Sequence, residues 1–238
     1  MRKIMMLLLV VCLCIVTTVT SFAFSDVTDT ELHSYVQTLQ EFNIISGYPD
    51  GSFKPNNFIS RAEFAKIIAT ATFLTEYTGE CFAFSDVSRE HWAAQFIYAA
   101  KDLQIISGTS ETTFEPDSNI TYEQAIKMIV ASLGYNEEAQ QKGGYPNGYI
   151  TVANELGILN DVYFESVDYA KRGNIAKIIR KALDMPWYYL NRDGINICQL
   201  SELTLFEIHK ISTPDTEYTK ESFISDEETD KAIEADVG

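Results

Sequence analysis

Two arginines occupy the same place in a repeated octapeptide. Arg61 opens RAEFAKII (61–68) and Arg172 opens RGNIAKII (172–179). A guanidinium at such a position can hold a carboxylate through two parallel charge-assisted hydrogen bonds. That acid can come from a ligand or from the chain itself, with Asp26 an internal candidate for Arg61. A further copy, YEQAIKMI (122–129), has Tyr122 in the arginine position, and a phenol cannot supply the charge. Other chemistry has little support. His33, His91 and His209 are far apart and form no zinc-ligand pair. Cys81 has no motif marking it as a nucleophile, and no glycine loop of the phosphate-binding kind is present. Asp50 lacks the alternating acids of a calcium loop and reads as a turn residue. The expectation is a chain with no catalytic residues, no metal and no cofactor.

The elements that position these arginines are themselves repeated. Ile45, Gly47, Phe53, Pro55, Ile59 and Lys66 return 61 residues later as Ile106, Gly108, Phe114, Pro116, Ile120 and Lys127; Phe114, Lys127 and Ile129 return 50 residues later as Phe164, Lys177 and Ile179. Repetition at fixed offsets is the mark of an array. Each unit reads as helix, loop, helix. The first helices carry apolar stripes at Leu32, Val36, Leu39 and Phe42, at Trp92, Phe96, Ala99 and Leu103, and at Tyr149, Val152, Ala153 and Leu156. Asn43 and Gly157 suit a left-handed helix stop, whereas Gln104 at the matching place suits it poorly. The second helices are expected to begin near Ser60, Thr121 and Lys171. Ser60 with Glu63 and Thr121 with Gln124 fit capping boxes, and Lys171 has lost that chemistry. Between the helices, Pro49-Asp50-Gly51 favours a tight turn. Helix pairs this short cannot bury their stripes alone, so a common core is expected.

The ends of the chain read differently. Arg2 and Lys3 precede an apolar run and Ser21-Phe22-Ala23, which together resemble an export signal cleaved after Ala23. The run is shorter than the roughly 20 residues a membrane span needs, and no transmembrane segment is expected after cleavage. Removal of residues 1–23 leaves Cys81 and Cys198, whose pairing stays open, and 16 basic residues against 34 acidic ones, a net charge of −18. Residues 213–238 contribute −7 of that and read as a disordered tail. This acidity argues against nucleic acid as a partner, which would call for clustered Lys and Arg.

Phe24-Ser25-Asp26-Val27, the loop Gly47-Tyr48-Pro49-Asp50-Gly51-Ser52-Phe53 and Ile59-Ser60-Arg61-Ala62-Glu63 together resemble the S-layer homology (SLH) repeat. Phe84-Ser85-Asp86-Val87 with His91-Trp92-Ala93 resembles the opening of a second such repeat, and 143–149 resembles a variant opening of a third. Behind the signal peptide at 1–23, the resemblance implies repeats at 24–82, 83–142 and 143–185. A packing extension at 186–212 would follow, strand-like around Trp187–Leu190 and 203–208, and then the acidic tail. It implies an all-α fold: a pseudo-threefold array of three helix-loop-helix repeats around a central helical bundle, with grooves between them. By resemblance, such a module is non-catalytic and exported to the cell surface of a Gram-positive-type bacterium. It would bind a secondary cell-wall polysaccharide, often pyruvylated, without covalent linkage. The family's groove arginine maps to Arg61 and Arg172 and not to Tyr122, with Lys54, Asp26, Gly47, Tyr48 and Trp92 as further polysaccharide-binding candidates. Tyr48 and Trp92 could pack against sugar rings, although Trp92 also fits the core and Glu63 fits a cap better than a ligand contact. Because Arg61 adjoins the turn motif and Lys54, it is expected to matter more than Arg172, and Arg61→Ala to leave stability nearly unchanged. The alternative is a structural or protein-interaction subunit of the envelope, docking other surface proteins.

Overall fold

Helices form wherever the capping and stripe signals coincide. A computed structural model describes residues 24–74, 84–190, 197–200 and 203–212. Its helices are α1 (Thr30–Glu41), α2 (Arg61–Ala71), α3 (Ala94–Asp102), α4 (Tyr122–Ser132), α5 (Asn136–Gln141), α6 (Asn147–Glu155), α7 (Arg172–Ala182) and α8 (Leu205–Ile211). A two-stranded antiparallel hairpin, β1 (Tyr188–Leu190) and β2 (Ile197–Leu200), lies between α7 and α8. Among the described residues the fold is all-α apart from this hairpin. The signal segment, Cys81 and the acidic tail lie outside the described residues.

Ser60, Thr121 and Lys171 are the N-caps of α2, α4 and α7. Ser60 and Thr121 close complete capping boxes with Glu63 and Gln124, which satisfy amide protons that a helix start leaves without partners. Lys171 makes no side-chain cap. The stop position after each first helix is left-handed even where the residue is unhelpful: φ is 56° at Asn43, 56° at Gln104 and 74° at Gly157. Gln104 therefore adopts the same geometry as its counterparts despite the steric cost of positive φ for a residue with a side chain.

The stripe expected on the second unit is displaced. Trp92 lies before α3 and is 55% exposed, while Ala93, Ala94, Ile97, Tyr98, Ala99 and Ala100 are buried. Small residues let α3 approach its neighbour closely, and a tryptophan at that contact would hold the helices apart. The strand-like reading holds for 188–190 but not for 203–208. Thr204 and Glu207 close a capping box, and α8 follows.

The helices pair across units. The second helix of each packs on the first helix of the following one, α2 on α3 and α4 on α6, and α7 returns to pack on α1. The residues just before the N-caps close a ring in the core. Ile59 N–H donates to Ala170 O (3.1 Å), Ala170 N–H to Ile120 O (2.8 Å), and Ile120 N–H to Ile59 O (3.1 Å). All three residues are fully buried. Each of their polar backbone groups is satisfied by another segment, as buried amides require.

Candidate functional site

Each of α2, α4 and α7 begins by reaching into a neighbouring loop. Backbone N–H groups fix the approach: Arg61 and Ala62 donate to Ser118 O and Pro116 O, Tyr122 and Glu123 to Asp168 O and Ser166 O, and Arg172 and Gly173 to Asn57 O and Pro55 O. The side chain of the first helical residue therefore enters a junction between segments that are distant in sequence.

At the first junction, Arg61 Nε donates to Phe114 O (2.6 Å), a terminal nitrogen to Ser107 O (3.1 Å), and the other to Gln124 Oε1 (3.1 Å). The guanidinium lies 4.5 Å from the centre of the Phe114 ring. At the third, Arg172 repeats the pattern: Nε donates to Phe53 O (3.1 Å), a terminal nitrogen to Ser46 O (3.1 Å), and Glu63 Oε1 lies 3.7 Å from the other. The Arg172 guanidinium also lies over the rings of Tyr48 and Phe53 at 4.9 and 5.0 Å. At the second junction Tyr122 stacks on Phe164 with ring centres 4.3 Å apart. Its hydroxyl accepts from Lys171 N–H (3.2 Å) and Asn174 Nδ2 (2.7 Å).

The structure divides the residues that sequence proximity groups around Arg61. Tyr48, Lys54, Gly47 and Asp26 gather on the loop that receives Arg172. Lys54 Nζ sits 4.2 Å from the Tyr48 ring centre and 2.9 Å from Asp50 Oδ2. Asp26 does not pair with Arg61. Its carboxylate accepts from Phe53 N–H (2.9 Å) and Lys54 N–H (2.7 Å), clamping a loop in which Lys54 is held at φ 57°. Burial acts to raise its pKa, but the two backbone donors outweigh that and hold it below the usual carboxylate value. Asp86 clamps Phe114 and Glu115 in the same way. At Gly47 a Cβ would lie 2.8 Å from the tip of the Phe24 ring and 3.0 Å from Ser52 O, so this glycine exists to let Phe24 close on the loop. Trp92 stacks on His91 at 5.6 Å, neither in the core nor at an arginine. Asp50 accepts from Ser52 N–H and Oγ, as a turn residue should.

Arg61 and Arg172 are only 4% and 5% exposed. This corrects the expectation that Arg61→Ala is structurally neutral, because truncation would leave the Phe114 and Ser107 carbonyls without their donor. Gln124, Ser107 and Lys127 are members of the Arg61 junction that the sequence reading did not place among the binding candidates. The recurring lysine at 66, 127 and 177 was the available signal for the last of these. Among the described residues, no three His, Cys, Asp or Glu side chains gather as a metal would require, and no helix is long and apolar enough to cross a membrane.

This frame recurs in known proteins. Residues 23–65 and 83–126 match the S-layer homology domain, so two such repeats are detected; residues 143–185 lie outside both matches. The chain is 30% identical over 200 residues to a middle cell wall protein of Brevibacillus brevis, covering 82% of this chain and 19% of that protein. It is 31% identical over 172 residues to a surface layer protein of Brevibacillus choshinensis (68% of this chain, 15% of that protein). Against a cellulosome-anchoring protein of Acetivibrio thermocellus it is 32% identical over 157 residues (59% and 35%). The chain thus spans about a fifth or less of the first two relatives. It carries S-layer homology repeats and is similar to proteins of the bacterial cell surface.

Proposed function

We propose that this chain is a non-catalytic module that attaches to the cell wall by holding a secondary cell-wall polysaccharide at its inter-segment junctions. The observation that carries this reading is the pair of equivalent arginines, each placed beside aromatic rings where two S-layer homology-like segments meet. A guanidinium suits a carboxylate such as a pyruvyl ketal, and an aromatic face suits the apolar side of a sugar ring. Net charge opposes an anionic polymer only at long range, since salt screens exposed charges beyond about 8 Å. In this reading α7 and its loop are a third repeat in a pseudo-threefold array. Support comes from the three cyclic hydrogen bonds among Ile59, Ile120 and Ala170 and from the matching approach of Arg172 to its receiving loop.

A second reading, docking of another surface protein, is favoured by one feature. Phe58 and Tyr169 are about half exposed and form an edge-to-face pair at 5.7 Å on the surface. Co-sedimentation separates the two readings. The protein lacking residues 1–23 is expected to pellet with sacculi that retain their polysaccharide and to stay in solution with stripped sacculi. Equal pelleting with both would remove polysaccharide as the ligand and put the protein partner first.

A further inference from the structure

The buried ring of Ile59, Ile120 and Ala170 is preceded in the chain by three residues that reach the surface. They are Phe58, Asn119 and Tyr169, and all three are exposed. Each is paired by an antiparallel bridge with the N-cap of a helix from another segment: Phe58 with Lys171, Asn119 with Ser60 and Tyr169 with Thr121. Their backbones are thus fixed by the hydrogen bonds that close the ring, and little freedom remains to be lost when a ligand lands on them.

The frame does not call for aromatic side chains at this place. Asn119 occupies it with the same backbone pairing, so the ring closes beside an amide as readily as beside an aromatic. Phe58 and Tyr169 nevertheless stand 48% and 51% exposed, packed edge to face at 5.7 Å. A paired aromatic patch left in water at a position that accepts a polar residue points to a partner. Its size selects among partners. Half of each ring is open, on the order of 200 Å² of aromatic surface, against about 800 Å² per side in a stable protein interface. That is too little to hold a protein by itself, the alternative the exposed pair raises, and it suits one sugar ring. The C–H face of a pyranose packs on an aromatic ring, and its hydroxyls need groups that donate and accept. Such groups are at hand: among the described residues, the Tyr169 hydroxyl and the Asn119 side-chain amide have no hydrogen-bond partner. None of the three side chains is charged, and the adjoining exposed charges, Lys171 and Asp168, are of opposite sign. Unlike the arginine junctions, this place gives an acidic group no advantage.

We propose that Phe58 and Tyr169 form a stacking platform for a neutral pyranose of the wall polysaccharide, with the Tyr169 hydroxyl and Asn119 meeting its hydroxyls. The inference rests on the glycan reading and adds a contact that uses neither arginine nor any charge on the ligand. A long polymer that occupies the platform and a junction together is held by linked contacts, each of which raises the effective concentration at the other.

Co-sedimentation of the protein lacking residues 1–23 with polysaccharide-bearing sacculi tests this. Phe58→Asn and Tyr169→Asn install the residue that the frame already carries at position 119. Each should raise the sacculus concentration needed for half-binding about fivefold, with the melting temperature unchanged. The loss should be equal at low and high salt, because stacking is not screened as an ion pair is. Phe58→Trp keeps a ring and should bind as wild type does. Its added indole emission should shift when polysaccharide released from the sacculi is titrated in, and this variant decides the matter where an asparagine variant fails to fold. Unchanged binding in both asparagine variants would overturn the platform, as would a loss confined to low salt or an indole that does not respond. In those cases, wild type that still needs the polysaccharide in order to pellet keeps the glycan reading. Wild type that pellets equally with stripped sacculi removes the glycan reading and the platform's sugar together, and equal pelleting that the asparagine variants lose assigns the aromatic pair to a protein partner.

Discussion

Acidification should loosen the C-terminal helix before it affects the carboxylate clamps, and the size of the effect follows from His209. This side chain is 6% exposed, lying between Phe73 at 4.1 Å and Phe42 at 5.2 Å, with Nε2 2.9 Å from Ala71 O at the end of α2. Ala71 O can only accept, so Nε2 carries a proton, and burial is what keeps the ring neutral. Burial lowers the pKa from 6.5 to about 4, against the smaller opposing effect of the Ala71 hydrogen bond. A folded-state pKa below the unfolded value means that the unfolded chain takes up the proton first. The contribution is therefore whole above pH 6.5 and is lost as pH falls from 6.5 through about 4. A displacement of this size corresponds to about 3 kcal/mol at ~1.4 kcal/mol per unit. The assay is urea unfolding at closely spaced pH values between 7 and 4, followed by fluorescence. Trp187 is the useful reporter, since its indole N–H donates to Leu203 O (2.9 Å) just before α8, whereas Trp92 is already exposed. His209→Phe keeps an aromatic ring in the slot and removes the titration. Wild type should lose about 3 kcal/mol more than the variant over this range. Parallel pH profiles for the two proteins would refute the reasoning.

Two further perturbations test the frame of the junctions. Gly47→Ala places a methyl against the Phe24 ring and Ser52 O and should cost about 1–3 kcal/mol in urea unfolding; a cost below ~0.5 kcal/mol would mean that Phe24 does not close the loop. Lys171→Ser restores a hydroxyl to the one N-cap among α2, α4 and α7 that lacks it, and should raise stability by about 1 kcal/mol, read as a shift of the urea midpoint at constant slope.

What was legible in the sequence was local. Ser60 with Glu63 and Thr121 with Gln124 announce helix starts because a cap is satisfied within four residues. The same reasoning was available at Thr204 and Glu207 but was outweighed by the alternating apolar residues of 203–208, which suggested a strand. The α3 stripe failed for a different reason. Its buried face is mostly alanine, chosen for close helix approach, and the large Trp92 nearby is at the surface. Gln104 looked like a weak stop and is held left-handed by its surroundings, showing tertiary contacts overriding a local preference.

The candidate site was harder to read because neighbours in the sequence serve different junctions. Arg61 and Glu63 are two residues apart on one helix turn, yet Arg61 meets Ser107 and Phe114 whereas Glu63 faces Arg172. Side chains two apart on a helix point in different directions, so the motif that contains both supplies one group to each of two sites. The Gly47–Phe53 loop, adjacent to that motif in sequence, likewise belongs with Arg172. Ring closure explains the offset: since α7 returns to α1, the junction assembled from the best-preserved loop is completed by the last segment of the ring. A substitution in either motif must therefore be assigned to a junction through its cross-segment partner. By that criterion Gln124, which the sequence shows as a capping residue, decides the charge at Arg61 as directly as Glu63 does at Arg172.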